Sequence, residues 1–145
     1  MAAYTATGAE EETTCTIIFN GKEHEEFFWT YLQKCRYQDV YHLALVYCLG
    51  IDRDTRTHID RIYDFRQGTV KTGCLYEGWQ TSGSLKIVRI AFNLYCDGTP
   101  SVYNSEDTEE QLSEARRYSV ENLFCCGYAR YFWEAIKIRY PEYCF

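Results

Sequence analysis

The chain has 145 residues, enough for one domain with a proper core, and 17% of them are aromatic. Its formal net charge is −6 and its sequence pI about 5.1. That excludes a nucleic-acid polymer as partner, because affinity for one comes largely from cations that neutralise phosphates.

Residues 1–14 are small, polar and acidic and are expected to be disordered, ahead of a single domain over 15–145. Cys15–Phe19 is the best short strand candidate, and Asn20 is placed to cap the first helix. Over 22–35, His24, Phe27, Phe28, Tyr31, Leu32 and Cys35 recur at steps of three and four and predict an amphipathic helix. His24 lies on that apolar face, where a histidine is more often a hydrogen-bonded core residue than a catalyst. A second helix over 39–49 is apolar nearly all round and should be central, with Gly50 as its C-terminal cap.

Asp52 or Asp54 caps a third predicted helix running through Arg56, His58, Ile59, Ile62 and Phe65, with Gly68 at its end. A short turn over 72–77 leads into Gly78-Trp79-Gln80-Thr81-Ser82-Gly83-Ser84, a loop of hydroxyls, one amide and an indole. Ser82 or Ser84 caps a fourth helix, 84–96, apolar apart from Lys86, Arg89 and Asn93 on one narrow stripe. Residues 101–117 form an acidic surface segment. Ser119 opens the last helix, which Pro141 stops. The pattern predicts a compact, mainly α single domain of about five helices with at most a minor N-terminal strand element.

No catalytic signature is present: no Gly-x-Ser-x-Gly elbow, nucleotide-hydrolase phosphate loop, zinc-protease motif or dinucleotide fingerprint. Three histidines without matching ligand spacing give no reason to expect a metal, and no cofactor is called for. His58 follows Asp54 by four residues, on one helical face, and the pair could serve acid–base work or only cap and brace a helix. Residues 1–10 have neither the basic n-region nor the apolar h-region of a secretory signal, and no apolar run is long enough to span a membrane. The eight cysteines include no Cys-x-x-Cys pair and sit mostly in apolar helical patterns. A reduced, cytoplasmic protein is expected, with no membrane partner.

The recognition chemistry collects at the fourth helix. Cations in its first turns oppose the helix dipole, and such a start can hold a phosphate or carboxylate. An unpaired buried charge is too costly to persist, so Lys86, Arg89 and Asn93 must face water, a cavity or buried partners. Asp54, Arg56 and His58 could be those partners in a structural network. Alternatively both elements line one pocket, where Trp79 stacks on a ring, Gln80 and Asn93 offer amides, and Thr81, Ser82 and Ser84 offer hydroxyls. The 14 tyrosines suit pockets and interfaces and admit a homodimer.

Several runs carry a resemblance: Phe27-Phe28, Asp54-Thr55-Arg56-x-His58-Ile59, Tyr63-Asp64-Phe65 and Gly78-Trp79-Gln80-Thr81-x-x-Ser84. Arg89-x-Ala91-Phe92-Asn93-Leu94 and Tyr131-Phe132-x-Glu134-Ala135-Ile136 extend it, so that it covers 17–140. Together they resemble an uncharacterised family of small proteins from phages and mobile elements of Gram-positive bacteria. The resemblance supplies no activity. It implies a genomic context in which small proteins counter host defence, either by sequestering a nucleotide signal or by blocking a defence protein. The expectation is therefore a non-enzymatic binder of a small nucleotide-like anion through Trp79, Gln80, Thr81, Ser82, Ser84, Lys86, Arg89, Asn93, Asp54, Arg56 and His58. Its rivals are an inhibitor that sets its acidic segment and tyrosines against a basic surface of a host defence protein, and a small His58/Asp54 hydrolase. An enclosed pocket at the loop would favour the first. Internal pairing of Lys86 and Arg89 at a flat site would favour the second.

Overall fold

The computed structural model describes residues 2–6 and 13–144. Strand β1 (Ala2–Ala6) pairs antiparallel with β2 (Thr13–Ile17), Ala2 lying opposite Ile17. The disorder expected over 1–14 thus meets a paired strand at 2–6, while residues 1 and 7–12 lie outside the described residues.

Helix α1 (Lys22–Leu32) buries His24, Phe27, Phe28 and Leu32, the predicted stripe. It stops short of Cys35 because its last turn tightens, with the Lys34 and Cys35 amides bonding back three residues to Tyr31 and Leu32. Asn20 does not cap it. Gly21 occupies the cap position at φ +90°, while the Asn20 amide donates to His24 Nδ1 and its side chain to the Ile51 carbonyl. Helix α2 (Val40–Leu49) is capped by Asp39, whose carboxylate accepts from the His42 amide, and is buried from His42 to Leu49. It packs against α1 and against two later helices, the centre of the core as its uniform apolarity implied. Gly50 follows as its C-cap, and packing explains why the residue there is glycine. A Cβ there would lie 2.7 Å from His24 Cδ2 and 2.8 Å from Phe27 Cδ1, so α1 can approach only over a glycine.

The predicted third helix is broken. Helix α3 (Arg53–Thr57), capped by Asp52, gives way at His58 to α4 (Ile59–Ile62). The chain then turns through a hairpin of β3 (Tyr63–Asp64) and β4 (Thr69–Val70). Asp64 is the cause: its carboxylate accepts from the Arg66 and Gln67 amides and closes a turn instead of a helical step, with Gly68 at φ +72°. A 3-10 turn, Thr72–Tyr76, comes next. Helix α5 (Ser82–Cys96) buries Ile87, Val88, Ile90, Ala91, Phe92 and Leu94, packs on α2, and ends at Asp97 in the left-handed region.

A second 3-10 turn, Val102–Asn104, leads to α6 (Thr108–Arg116), capped by Asp107. The last predicted helix is also divided. Helix α7 (Val120–Phe124) is capped by Ser119, as expected, but the backbone leaves helical geometry at Cys125, two residues before Gly127, and α8 (Ala129–Arg139) starts afresh. Pro141 comes after the end of α8 and itself opens a final turn, α9 (Pro141–Cys144), because a helix's first position needs no amide hydrogen. The protein is a compact, mainly α fold.

Candidate functional site

The start of α5 is a closed capping box. Thr81, rather than Ser82 or Ser84, is the N-cap. Its hydroxyl accepts from the Ser84 amide at 3.1 Å, and Ser84 Oγ accepts from the Thr81 amide at 2.7 Å. Ser84 is fully buried and its hydroxyl donates to Gln80 Oε1 at 2.6 Å, while Gln80 Nε2 donates to the Cys74 carbonyl at 3.1 Å. Gln80, Thr81 and Ser84 therefore brace one another and fasten the loop to the 72–76 turn. Ser82 is exposed.

The stripe of α5 turns its polar groups toward the protein itself. Arg89 is buried and makes two hydrogen bonds to one carboxylate, Nε to Glu114 Oε1 at 2.8 Å and Nη2 to Oε2 at 3.1 Å. Glu114 comes from α6 and also accepts from Arg117 Nη1 at 2.7 Å and from Ser101 Oγ at 2.8 Å. Burial works against the charge on Glu114, but the hydrogen bonds from Arg89, Arg117 and Ser101 outweigh it and hold the carboxyl below the usual range. Asn93 donates to the Gly98 carbonyl at 2.8 Å and ties the turn after α5. Lys86 is the outlier, half-buried and reaching the Cys125 carbonyl at 3.3 Å through a solvent-exposed hydrogen bond.

The 54–58 segment does not supply the partner of Arg89. Arg56 Nη1 donates to the Gly50 carbonyl at 2.8 Å. His58 Nδ1 donates to the main-chain carbonyl of Asp54 at 2.8 Å, which braces the end of α3 and leaves the Asp54 carboxylate outside the pair. What the fold does bring together is His58 and Trp79. Their rings stack with centroids 4.3 Å apart and planes 5° from parallel, so the imidazole occupies one face of the indole. Trp79 Nε1 donates to Glu77 Oε1 at 3.0 Å, and Arg61 Nη1 donates to Glu77 Oε2 at 2.6 Å. The indole N–H, then the Arg61 guanidinium, hold the Glu77 carboxyl below its ordinary range. Glu77 and Arg61 were not singled out in the sequence. Their only signal was Glu77 standing two residues before Trp79.

The acidic segment has two sides. Glu114 is buried on Arg89, whereas Glu106, Asp107, Glu109 and Glu110 are exposed. Among the described residues only Glu110 of these four has an ion pair, to Arg117 at 3.5 Å.

Capped core helices, a braced Trp79 loop and an acidic flank define a small helical domain with no helix, among the described residues, long and apolar enough to cross a membrane. The chain belongs to a family of unknown function (DUF6075), whose model matches residues 14–145. No curated protein and no solved structure is significantly similar to it.

Proposed function

We propose that this protein is a non-enzymatic binder of phage or mobile-element origin that counters host defence by contacting a defence protein directly, in the cytoplasm of its bacterial host. The observation that carries the reading is the commitment of Arg89. The cation best placed to hold a nucleotide phosphate is bidentate on Glu114, and breaking a buried pair leaves an uncompensated charge. Trp79 supports the same choice, since one face of its ring is stacked on His58 and its N–H is taken by Glu77. The charges facing solvent ahead of α6 and in its first turn, Glu106, Asp107, Glu109 and Glu110, are carboxylates, with Arg116 and Arg117 at its far end, and this acidic end favours a basic protein surface over a phosphate. A hydrolase reading loses its oriented base, because the Asp54 contact to His58 is a carbonyl.

Native mass spectrometry of the protein purified from phage-challenged host lysate tests this. The expected result is a stoichiometric complex with a host protein, lost when Glu106 and Glu109 are changed to lysine. A small nucleotide released on denaturation, and absent from the Trp79→Ala protein, would replace this reading with signal sequestration.

A further inference from the structure

Two large rings stand out of the surface on the two 3-10 turns that lead up to the acidic segment. Tyr103 is 82% exposed and Tyr76 63%. They belong to the two separate 3-10 turns, which are fastened together by the Thr72 hydroxyl on Asn104 Oδ1 at 3.0 Å. Neither tyrosine makes a ring contact or a side-chain hydrogen bond among the described residues. Helix α6 packs against the second turn and adds Leu112, 54% exposed. Exposed aromatic rings on a braced backbone, with their faces and hydroxyls free, are the usual anchors of protein interfaces.

Charge decides what fits them. Glu106 and Asp107 come shortly after Tyr103 in the chain, and Glu109 lies in the first turn of α6, all exposed and without a cation partner among the described residues. The segment's own cations, Arg116 and Arg117, sit at the far end of α6, and Arg117 is tied back to Glu110 and Glu114. At the other turn Lys71 is held on the Asp60 carbonyl and Arg61 on Glu77, so the unpaired charge beside Tyr103 is carboxylate, which disfavours a phosphate-bearing ligand or an anionic membrane there. A guanidinium can do both jobs the face offers: its plane lies over a tyrosine ring while its edge pairs with a carboxylate. A lysine ammonium makes the ion pair but stacks less well.

We infer that the Tyr76–Tyr103 face, rimmed by Glu106, Asp107 and Glu109, docks an arginine-bearing segment of a partner protein. This rests on the protein-binding reading and names its site.

The test titrates the full chain with dye-labelled arginine and lysine homopeptides of equal length, monitored by fluorescence anisotropy at low and physiological salt. The arginine peptide should bind more tightly. Tyr76→Ala and Tyr103→Ala should each weaken arginine binding by about two- to five-fold, leaving lysine binding nearly unchanged, while Tyr103→Phe keeps the preference. Changing Glu106 and Glu109 to glutamine should weaken both peptides and flatten the salt dependence. All four positions are exposed, so these variants fold as the parent does. Equal affinity for both peptides with no response at either tyrosine would reduce the face to unspecific charge attraction and overturn the proposal. A host protein captured equally well by Tyr103→Ala protein would also overturn it, while leaving the protein-binding reading intact.

Discussion

His24 sits fully buried between two main-chain groups, accepting from the Asn20 amide at Nδ1 (2.9 Å) and donating to the Tyr47 carbonyl from Nε2 (2.7 Å). That pairing requires the neutral ring. Burial pushes its pKa down from 6.5 to about 4, against the opposing pull of the Tyr47 carbonyl. The unfolded chain therefore takes up this proton at a higher pH than the folded one. Stability from His24 is fully present above pH 6.5, is lost as pH falls from 6.5 to 4, and changes no further below that. A shift of this size corresponds to roughly 3 kcal/mol. Urea unfolding of the parent and of His24→Asn should show the variant less stable at neutral pH, with the gap closing through that window. Parallel pH profiles would mean His24 is not held neutral. Gly50 faces the same ring, and Gly50→Ala should cost a few kcal/mol because the new methyl overlaps His24 and Phe27. His24's place on the apolar stripe was legible in the sequence; its partners were not, since both are main-chain groups and Tyr47 lies 23 residues away.

Between elements, the polar contact that joins α5 to α6 is the Arg89–Glu114 pair. That Arg89 needed a partner was legible from its position in an otherwise apolar helix. Which residue it would be was not, because the answer lies 25 residues along the chain and depends on how α6 folds back. Asp54 was the nearer candidate, yet it meets His58 through its main-chain carbonyl and Arg89 pairs with Glu114 instead. Short helices are where periodicity misleads: α3 with α4, and α7 with α8, share one apolar rhythm across backbone breaks at His58 and at Cys125, and Asp64 then ends the first rhythm in a turn. Glu114→Leu should destabilise the protein by about 3–5 kcal/mol, since Arg89 is left buried without a counter-charge. Adding Arg89→Met to that variant should recover a large part of the loss. Chemical denaturation of both singles and the double gives the coupling directly, and additive losses would refute a tightly coupled pair. At the other end of α5, Thr81→Ala should cost about 1 kcal/mol and Thr81→Ser almost nothing, as read from the same unfolding curves.

For the molecule as a whole, the mainly α class and the central place of α2 were legible because both rest on local pattern, a long apolar helix with a capping Asp39 and a closing Gly50. The candidate site was legible only as a set of residue types. Gln80, Thr81 and Ser84 serve the start of α5, Arg89 and Asn93 fasten α6 and the 97–100 turn to it, and between the 54–58 segment and the loop it is His58 and Trp79 that meet. The cysteines offer a test of this global arrangement. Cys48 and Cys74 are buried in the core, where burial raises both thiols, Cys74 to about 12, and a protonated thiol does not react. Cys125 is exposed in the α7–α8 connection. Cys96 is exposed too, but partial burial of its sulfur and then the charge of Asp97 raise its pKa and slow it. Timed alkylation of the native protein, read by peptide mass spectrometry, should label Cys125 before Cys96, and Cys48 and Cys74 only at the rate of global unfolding. Urea should therefore accelerate the last two steeply and leave Cys125 nearly unchanged. Labelling of Cys48 as fast as Cys125 in native buffer would place α2 at the surface, and the packing of α1, α5 and α8 around it would have to be redrawn.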